Sequence, residues 1–121
     1  TPVELTLLVG GMRAMGVSHS GDGVWTDGKL DNSWFKTLLS MDVKWITTGY
    51  NSYVAKDRIS HQEIRTASRT DLVLGSNSEL RAIAEVYAQD DNNDKFISDF
   101  IKAWNLIKFR ILSNHQNLIK S

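Results

Sequence analysis

The segment Thr1–Gly16, TPVELTLLVGGMRAMG, decides the fold of this chain because it reads as an amphipathic helix that carries two glycines in its middle. Thr1 and Glu4 have the spacing of a capping box, which marks a helix start. Two adjacent glycines inside a helix cost about 1–2 kcal/mol relative to alanines. We therefore expect Gly10 and Gly11 to let something large pack close to the backbone of this helix.

The apolar residues of this first helix predict which of its sides faces the core. Leu5, Leu8, Met12 and Met15 share one side at helical spacing. A methionine among leucines on such a side is usually core filler, since its thioether adapts to irregular gaps. We therefore expect Met12 to be buried with its apolar neighbours.

Further helices are predicted along the chain wherever apolar residues recur at helical spacing. Asp31 or Asn32 is expected to cap the second helix, and Thr70 and Ser76 are expected to begin two more. The acidic run at 90–94 reads as a turn that leads into a long final helix.

Residues 43–68 differ, because their apolar residues alternate with polar ones as in half-buried strands. This alternation predicts a small antiparallel hairpin or three-stranded excursion on an otherwise helical domain. We expect residues 1–112 to form a single domain and residues 113–121 to be a polar, frayed tail.

Composition excludes several classes of function. The 121 residues suit one domain, and 14 basic residues balance 14 acidic ones, so there is no basic excess for nucleic acid. We also find no basic amphipathic stretch for a membrane surface. The absence of cysteine excludes disulfides and thiol catalysis and fits a reducing compartment, so we expect a cytoplasmic location.

The string LLVGGMRAMG resembles the proximal-helix motif of the plant-type haem peroxidases, in which GGH or GAH supplies the histidine that binds iron. The strings GVWTD, NSWFKTLL, RTDLVLGSNSELRAIAEVYAQDD and KFISDFIKAW resemble one branch, the C-terminal, haem-less half of bacterial and fungal catalase-peroxidases. The resemblance covers most of the chain. It implies a mainly α, haem-peroxidase-like helical fold, present in part, with the small antiparallel β excursion around residues 43–68.

The resemblance also implies the positions of a degenerate haem site. In active members a histidine binds iron, an aspartate accepts the other N–H of that histidine, and a tryptophan lies nearby. The histidine position carries Met12, the tryptophan position falls on Leu30, and the aspartate position falls on Asp71. The distal Arg, Trp and His of the family lie on helices outside this segment. The resemblance therefore implies no catalytic residue and no bound cofactor here, with haem b held elsewhere in the parent enzyme.

Asp71 also has a purely structural interpretation. It falls in the first turn of a predicted helix, where an acidic side chain interacts favourably with the positive end of the helix dipole. We therefore expect Asp71 to hold the start of its own helix.

Two other interpretations stay open. Methionine can bind haem iron, so one alternative is a small haem-binding protein that uses Met12 with His19 or His115. The other is a free-standing helical interaction module. Neither His61 nor the other two histidines has metal-ligand spacing, and the acidic run lacks the glycine and the final glutamate of a calcium loop, so we predict no metal site.

The resemblance implies a supporting role. In the family this half packs on the haem-bearing N-terminal half, helps to hold its active site in shape, and contributes to assembly of a homodimer that removes hydrogen peroxide. The chain opens directly on a helix cap, which predicts a fragment or a truncated gene product.

Overall fold

Five α-helices and three β-strands make up the part of the chain that the computed structural model describes, namely residues 1–18, 21–49 and 51–120, with side chains as far as residue 113. A short 3₁₀ turn at Asp90–Asn92 precedes the last helix. The elements in chain order are α1 (Pro2–Ala14), α2 (Ser33–Leu38), β1 (Val43–Gly49), β2 (Ser52–Asp57), β3 (Glu63–Ser68), α3 (Arg69–Ser76), α4 (Ser78–Tyr87) and α5 (Asn93–Lys120).

The glycine pair of α1 receives two aromatic rings. A Cβ on Gly10 would overlap the ring of Phe35 from α2, and a Cβ on Gly11 would overlap the ring of Phe100 from α5. The expectation that something large packs on this backbone is therefore confirmed. Both bonds of the predicted capping box at the start of α1 are also present.

The glycine contacts turn α1 so that a different side faces the core. The buried residues include Leu7, Ala14 and the glycine pair, whereas Leu5 is 48% exposed and Met15 is 40% exposed. Met12 is only half-buried. The predicted core face was wrong because the docked rings, rather than the leucines and methionines, fix the rotation of the helix.

Aromatic side chains from several helices form the centre of the core. Trp34, Phe35 and Phe96 are completely buried, and Tyr87 is 4% exposed. The rings of Phe35 and Phe96 meet edge to face with centroids 5.3 Å apart, a favourable arrangement for aromatic pairs. These residues come from α2, α4 and α5, so the rings join three helices around α1.

The three strands form an antiparallel sheet in the order β1-β2-β3, at the positions that the alternation predicted. Trp45 pairs with Ala55, and Ala55 pairs with Arg65. Ala55 and Ala67 are completely buried, and Trp25 from the loop before α2 contacts Trp45 with ring centroids 5.6 Å apart. The sheet therefore contributes buried residues of its own.

The predicted fold class, mainly α, was wrong. The described residues form a mixed α/β structure, in which a full three-stranded antiparallel sheet stands beside the helices. The alternation at residues 43–68 predicted the strands correctly, but it did not predict how large a part of the fold they form. A sequence period reports whether one face of an element is buried, and it does not report how many elements share the core.

The starts of two helices also differ from the predictions. Ser68, rather than Thr70, caps α3, and Asn77 caps α4 by accepting hydrogen bonds from two backbone N–H groups. The backbone of α5 is helical from Asn93 to Lys120, and the division into a domain at residues 1–112 and a tail at residues 113–121 stays a prediction. No helix within the described ranges is long and apolar enough to cross a membrane.

Candidate functional site

The residue with the most unusual environment is Asp71, a completely buried carboxylate at the start of α3. Its Oδ2 accepts hydrogen bonds from the backbone N–H and the hydroxyl of Ser68, both at 2.9 Å. The Ser68 hydroxyl in turn accepts from the backbone N–H of Asp71, so the two residues form a capping box. The expectation that Asp71 holds the start of its own helix is confirmed.

The second oxygen of Asp71 binds a cation from another helix. Arg13, in the last turn of α1, donates through Nε to Oδ1 of Asp71 at 2.8 Å. The Arg13 side chain is only 15% exposed, and its Nη1 also donates to the backbone carbonyl of Val17 at 3.0 Å. The guanidinium therefore ties the end of α1 to the start of α3. A charged pair of this kind forms short, strong hydrogen bonds.

A glycine loop lies directly over the carboxylate. A Cβ on Gly23 would overlap Asp71, with Oδ1 at 2.8 Å, and Gly23 has a φ of +77°, which favours glycine. The Gly23 N–H donates to the carbonyl of Thr66 at 3.0 Å, and its carbonyl accepts from Nε1 of Trp34 at 2.6 Å. The loop is therefore fixed from two sides and closes the space above Asp71.

Two tryptophan rings stack on each other beside Gly23. The rings of Trp25 and Trp34 are nearly parallel, with an interplanar angle of 5° and centroids 5.1 Å apart. Nε1 of Trp25 donates to the carbonyl of Thr66 at 2.8 Å. Both indole N–H groups are thus bonded to backbone carbonyls, which leaves them no free donor for a ligand.

Of the three predicted site residues, the structure places only one in this cluster. Asp71 lies at the centre of the polar cluster, whereas Met12 is half-buried on α1 and Leu30 packs, partly buried, against the core from the loop before α2. The residue that reaches Asp71 is Arg13, one position after Met12. The assignment of Met12, Leu30 and Asp71 to the three proximal positions of a haem site stays a prediction.

The sequence pattern did not predict a role for Arg13. The argument that would have found it is electrostatic. An isolated carboxylate is far too costly to bury without a partner, so a buried Asp71 requires a cation or several donors. Arg13 is the only basic residue of the first helix. Its pairing with a carboxylate 58 residues away follows only once burial of that carboxylate is known.

The residues around Asp71 do not fit a haem group. The haem peroxidase arrangement needs an imidazole N–H that donates to an aspartate, whereas a guanidinium and Ser68 occupy both oxygens of Asp71. Gly23 and the indole stack fill the space beside it. Buried side chains, rather than a slot for a planar ring, therefore surround the carboxylate.

Other possible ligand residues are scattered. Within the described part of the chain no group of three His, Cys, Asp or Glu residues lies close enough to hold a metal ion. His61 is exposed. The predicted solvation of His19 and His115, and their role in the haem-binding alternative, concern side chains outside those described. At the start of the acidic run, Asp90 forms an ion pair with Lys36 at 2.5 Å.

Comparison with known proteins gives close relatives of one kind. No family model matches the chain. The catalase-peroxidase of Leptothrix cholodnii is 53% identical over 105 residues, which are 84% of this chain and 14% of that protein. The catalase-peroxidase of Vibrio cholerae is 52% identical over 108 residues, with 86% and 15% covered. Catalase-peroxidase 2 of Alkaliphilus metalliredigens is 51% identical over 108 residues, with 86% and 26% covered. The chain thus spans about a seventh to a quarter of the length of these relatives.

Proposed function

This chain corresponds to one segment of the catalase-peroxidases, and we propose that it is a non-catalytic segment that supports the haem-bearing half of such an enzyme. The proposal assigns it to the C-terminal, haem-less half of the parent. There it packs on the haem-bearing N-terminal half and keeps the active site of that half in shape. The chain on its own is expected to be inactive.

The observation that carries this proposal is the ion pair between Arg13 and Asp71. In a working proximal site the aspartate orients a histidine ligand, whereas here Arg13 holds Asp71 and the ligand position carries Met12. The pair joins two helices, and both bonds of Asp71 to Ser68 serve helix capping. Each group in the cluster therefore has a structural partner within the fold.

The surrounding contacts favour the same role. Arg13 fixes the end of α1 to α3, the loop at Gly23 joins this cluster to β3 through Thr66, and Trp34 joins the loop to α2. A segment that supports another half must hold its own shape while a large surface is covered. The cluster provides that rigidity, and at its centre is Asp71, the residue at the position of the proximal aspartate.

Properties of the whole enzyme follow as part of the proposal. The parent would decompose hydrogen peroxide by catalase and peroxidase reactions in response to oxidative stress, with haem b bound in its other half. It would act as a homodimer to which this segment contributes. We assign the parent to the cytoplasm, and the absence of cysteine from this segment fits a reducing compartment, where disulfides do not persist.

The test of this proposal is rescue of a separately expressed haem-bearing half. That half is prepared alone and with this chain, and its Soret spectrum and its catalase and peroxidase activities are recorded. We expect both activities to rise on addition of the chain, and the chain alone to give none. Without distal groups to move the proton between peroxide oxygens, general acid–base catalysis worth about 10²–10⁴-fold is missing. Two results would contradict the proposal. One is turnover that copurifies with the isolated chain, and the other is a haem-bearing half whose spectrum and activities do not change when the chain is added.

A free-standing interaction module is the second candidate, and one observation favours it. The far half of α5 exposes large apolar side chains, including Phe109 at 67% and Ile111 at 62%. Exposed apolar residues close together mark contact surfaces. If the haem-bearing half neither binds the chain nor responds to it, this second candidate replaces the first.

A further inference from the structure

A cavity of about 260 Å³ lies where the end of α2, strand β1 and helix α3 meet. Its inner wall is apolar, because Leu38 from α2 and Val43 from β1 are 5% and 4% exposed. Leu72 of α3 and Trp45 of β1 complete this wall as half-buried residues. If each non-hydrogen atom takes about the volume of a water molecule, the cavity has room for roughly nine of them. It therefore has the size of a small organic molecule.

The mouth of the cavity carries an exposed apolar side chain. Met41 lines the cavity and is 73% exposed. A ligand with an apolar body covers this side chain and fills the inner part, and the removal of apolar surface from water favours its binding.

Arg58 brings a positive charge to this mouth. Its Nε donates to the carbonyl of Met41 at 2.8 Å, which holds the guanidinium beside a residue that lines the cavity. Its two Nη groups donate to no described residue. The neighbouring carboxylate, Asp57, accepts instead from the backbone N–H groups of Ile59 and Ser60. The guanidinium thus keeps two donors for a ligand.

Arg81 of α4 brings a second guanidinium to the same cavity. Its Nη1 donates to the carbonyl of Gly75 at 2.8 Å, and Gly75 also lines the cavity. Its Nε forms an ion pair with Glu85 at 3.0 Å. Of the described residues that line the cavity, only these two arginines are charged. Because Glu85 offsets the charge of Arg81, the charge of Arg58 is the one left without a counter-ion among the described residues.

We propose that this cavity binds a small carboxylate with an apolar body, of about the size of hexanoate. Arg58 receives the carboxylate, and the apolar body of the ligand lies against Leu38 and Val43. The planar guanidinium presents paired donors that match the two oxygens of a carboxylate, and charge-assisted hydrogen bonds of this kind are strong. This binding site goes beyond the supporting role and does not depend on it.

The two parts of the site together select this class of ligand. An inorganic anion pairs with Arg58 but leaves the apolar wall in contact with water. A neutral apolar molecule fills the cavity but leaves the guanidinium unpaired, and a cationic one is repelled by it. Only a ligand with one negative charge at the end of an apolar body satisfies both the wall and the mouth.

The test is a titration of the full chain with hexanoate, followed by the backbone and indole N–H resonances of Trp45 in NMR spectra. Acetate carries the same charge without the apolar chain, and 1-hexanol carries the chain without the charge. We expect hexanoate to bind with a dissociation constant in the millimolar range, as suits a ligand of few atoms. We expect acetate and 1-hexanol each to bind severalfold more weakly.

Removal of the charge at the mouth separates the two contributions. Arg58→Met is expected to weaken the binding of hexanoate by about fivefold, the upper range for an exposed ion pair, and to leave that of 1-hexanol nearly unchanged. Arg110→Met is the matched control, because Arg110 is an exposed arginine on α5 with no ionic partner among the described residues. Urea unfolding of both variants shows whether either substitution disturbs the fold.

A salt titration of the parent chain gives the same information without a variant. Added salt screens exposed charges, so it should weaken the binding of hexanoate and not that of 1-hexanol. The proposal is overturned if hexanoate shifts the resonances of Trp45 no more than acetate does, or if 1-hexanol binds as tightly as hexanoate. It is also overturned if Arg110→Met weakens the binding of hexanoate as much as Arg58→Met does.

Discussion

Removal of Arg13 tests whether the buried ion pair holds the helices together. Arg13→Met keeps most of the aliphatic side chain and removes the charge, which leaves the completely buried carboxylate of Asp71 with only its two bonds from Ser68. Breaking a buried pair by removing one partner typically costs 3–5 kcal/mol. Because the Arg13 side chain is 15% exposed and Ser68 still donates, we expect a loss of about 3 kcal/mol in the free energy of unfolding.

The assay is equilibrium unfolding in urea, followed by tryptophan fluorescence. Lys36→Met is the matched control, because Lys36 and Asp90 also form a long-range ion pair but are 43% and 95% exposed. Exposed pairs contribute about 0–1 kcal/mol, so the control is expected to lose no more than that. The midpoint of Arg13→Met should therefore fall well below that of Lys36→Met.

A second variant keeps the test valid if Arg13→Met fails to fold. In Arg13→Met/Asp71→Asn no unpaired charge remains, while the amide oxygen can still accept from Ser68. We expect this double variant to be more stable than Arg13→Met alone, by a coupling energy of about 0.5–3 kcal/mol. If Arg13→Met loses no more than Lys36→Met, or if the double variant gains nothing over it, the ion pair does not stabilise the fold in the way argued.

Three other predictions follow from separate features. Gly11→Leu should overpack the ring contact on α1 and lower the free energy of unfolding by about 1–3 kcal/mol, while Gly49→Ala, with nothing within 4 Å, should leave the urea midpoint unchanged. Haem titrated into the chain should give only the broad absorbance of loosely bound haem, unaffected by Met12→Ala; a sharp one-to-one Soret band that this substitution abolishes would show that the methionine is a ligand. Burial, together with the hydrogen bond to Asp99, raises the pKa of Tyr87 above its ordinary value of about 10, so the folded state favours the protonated phenol. Its contribution to stability is therefore complete below about pH 10 and is lost as the pH rises through the raised pKa; urea midpoints at about pH 8 and about pH 11 should differ less for Tyr87→Phe than for the parent.

Signals carried by residues close together in the chain predicted the local structure correctly. The capping box at Thr1 and Glu4 begins α1 as predicted, and residues 43–68 form strands because their alternation requires one buried face. The glycine pair predicted a close contact, and two rings are found there. In each case the residues that carry the signal are close together in the chain.

Features that depend on distant residues were missed. The rotation of α1 depends on Phe35 and Phe100, and neither follows from the pattern of leucines on that helix. The partner of Asp71 is Arg13, which lies 58 residues away in the chain, so no spacing rule predicts this pair. The sequence therefore predicted that Asp71 belongs to the candidate site, but it did not predict which side chains contact Asp71. The fold class failed for the same reason, since the share of the core that the sheet takes is set by tertiary packing.

The docking of Phe100 on Gly11 has a consequence for the synthesis of this chain on the ribosome. The two residues are about 90 positions apart, and at about 5–20 residues per second their separate appearance takes roughly 5–20 s. During that time Phe35 can already cover Gly10, but the backbone at Gly11 lacks the ring of Phe100, and the helix still carries the cost of its glycine pair. Chaperones that bind exposed apolar segments therefore have a defined window in which α1 is accessible, and it closes when α5 emerges.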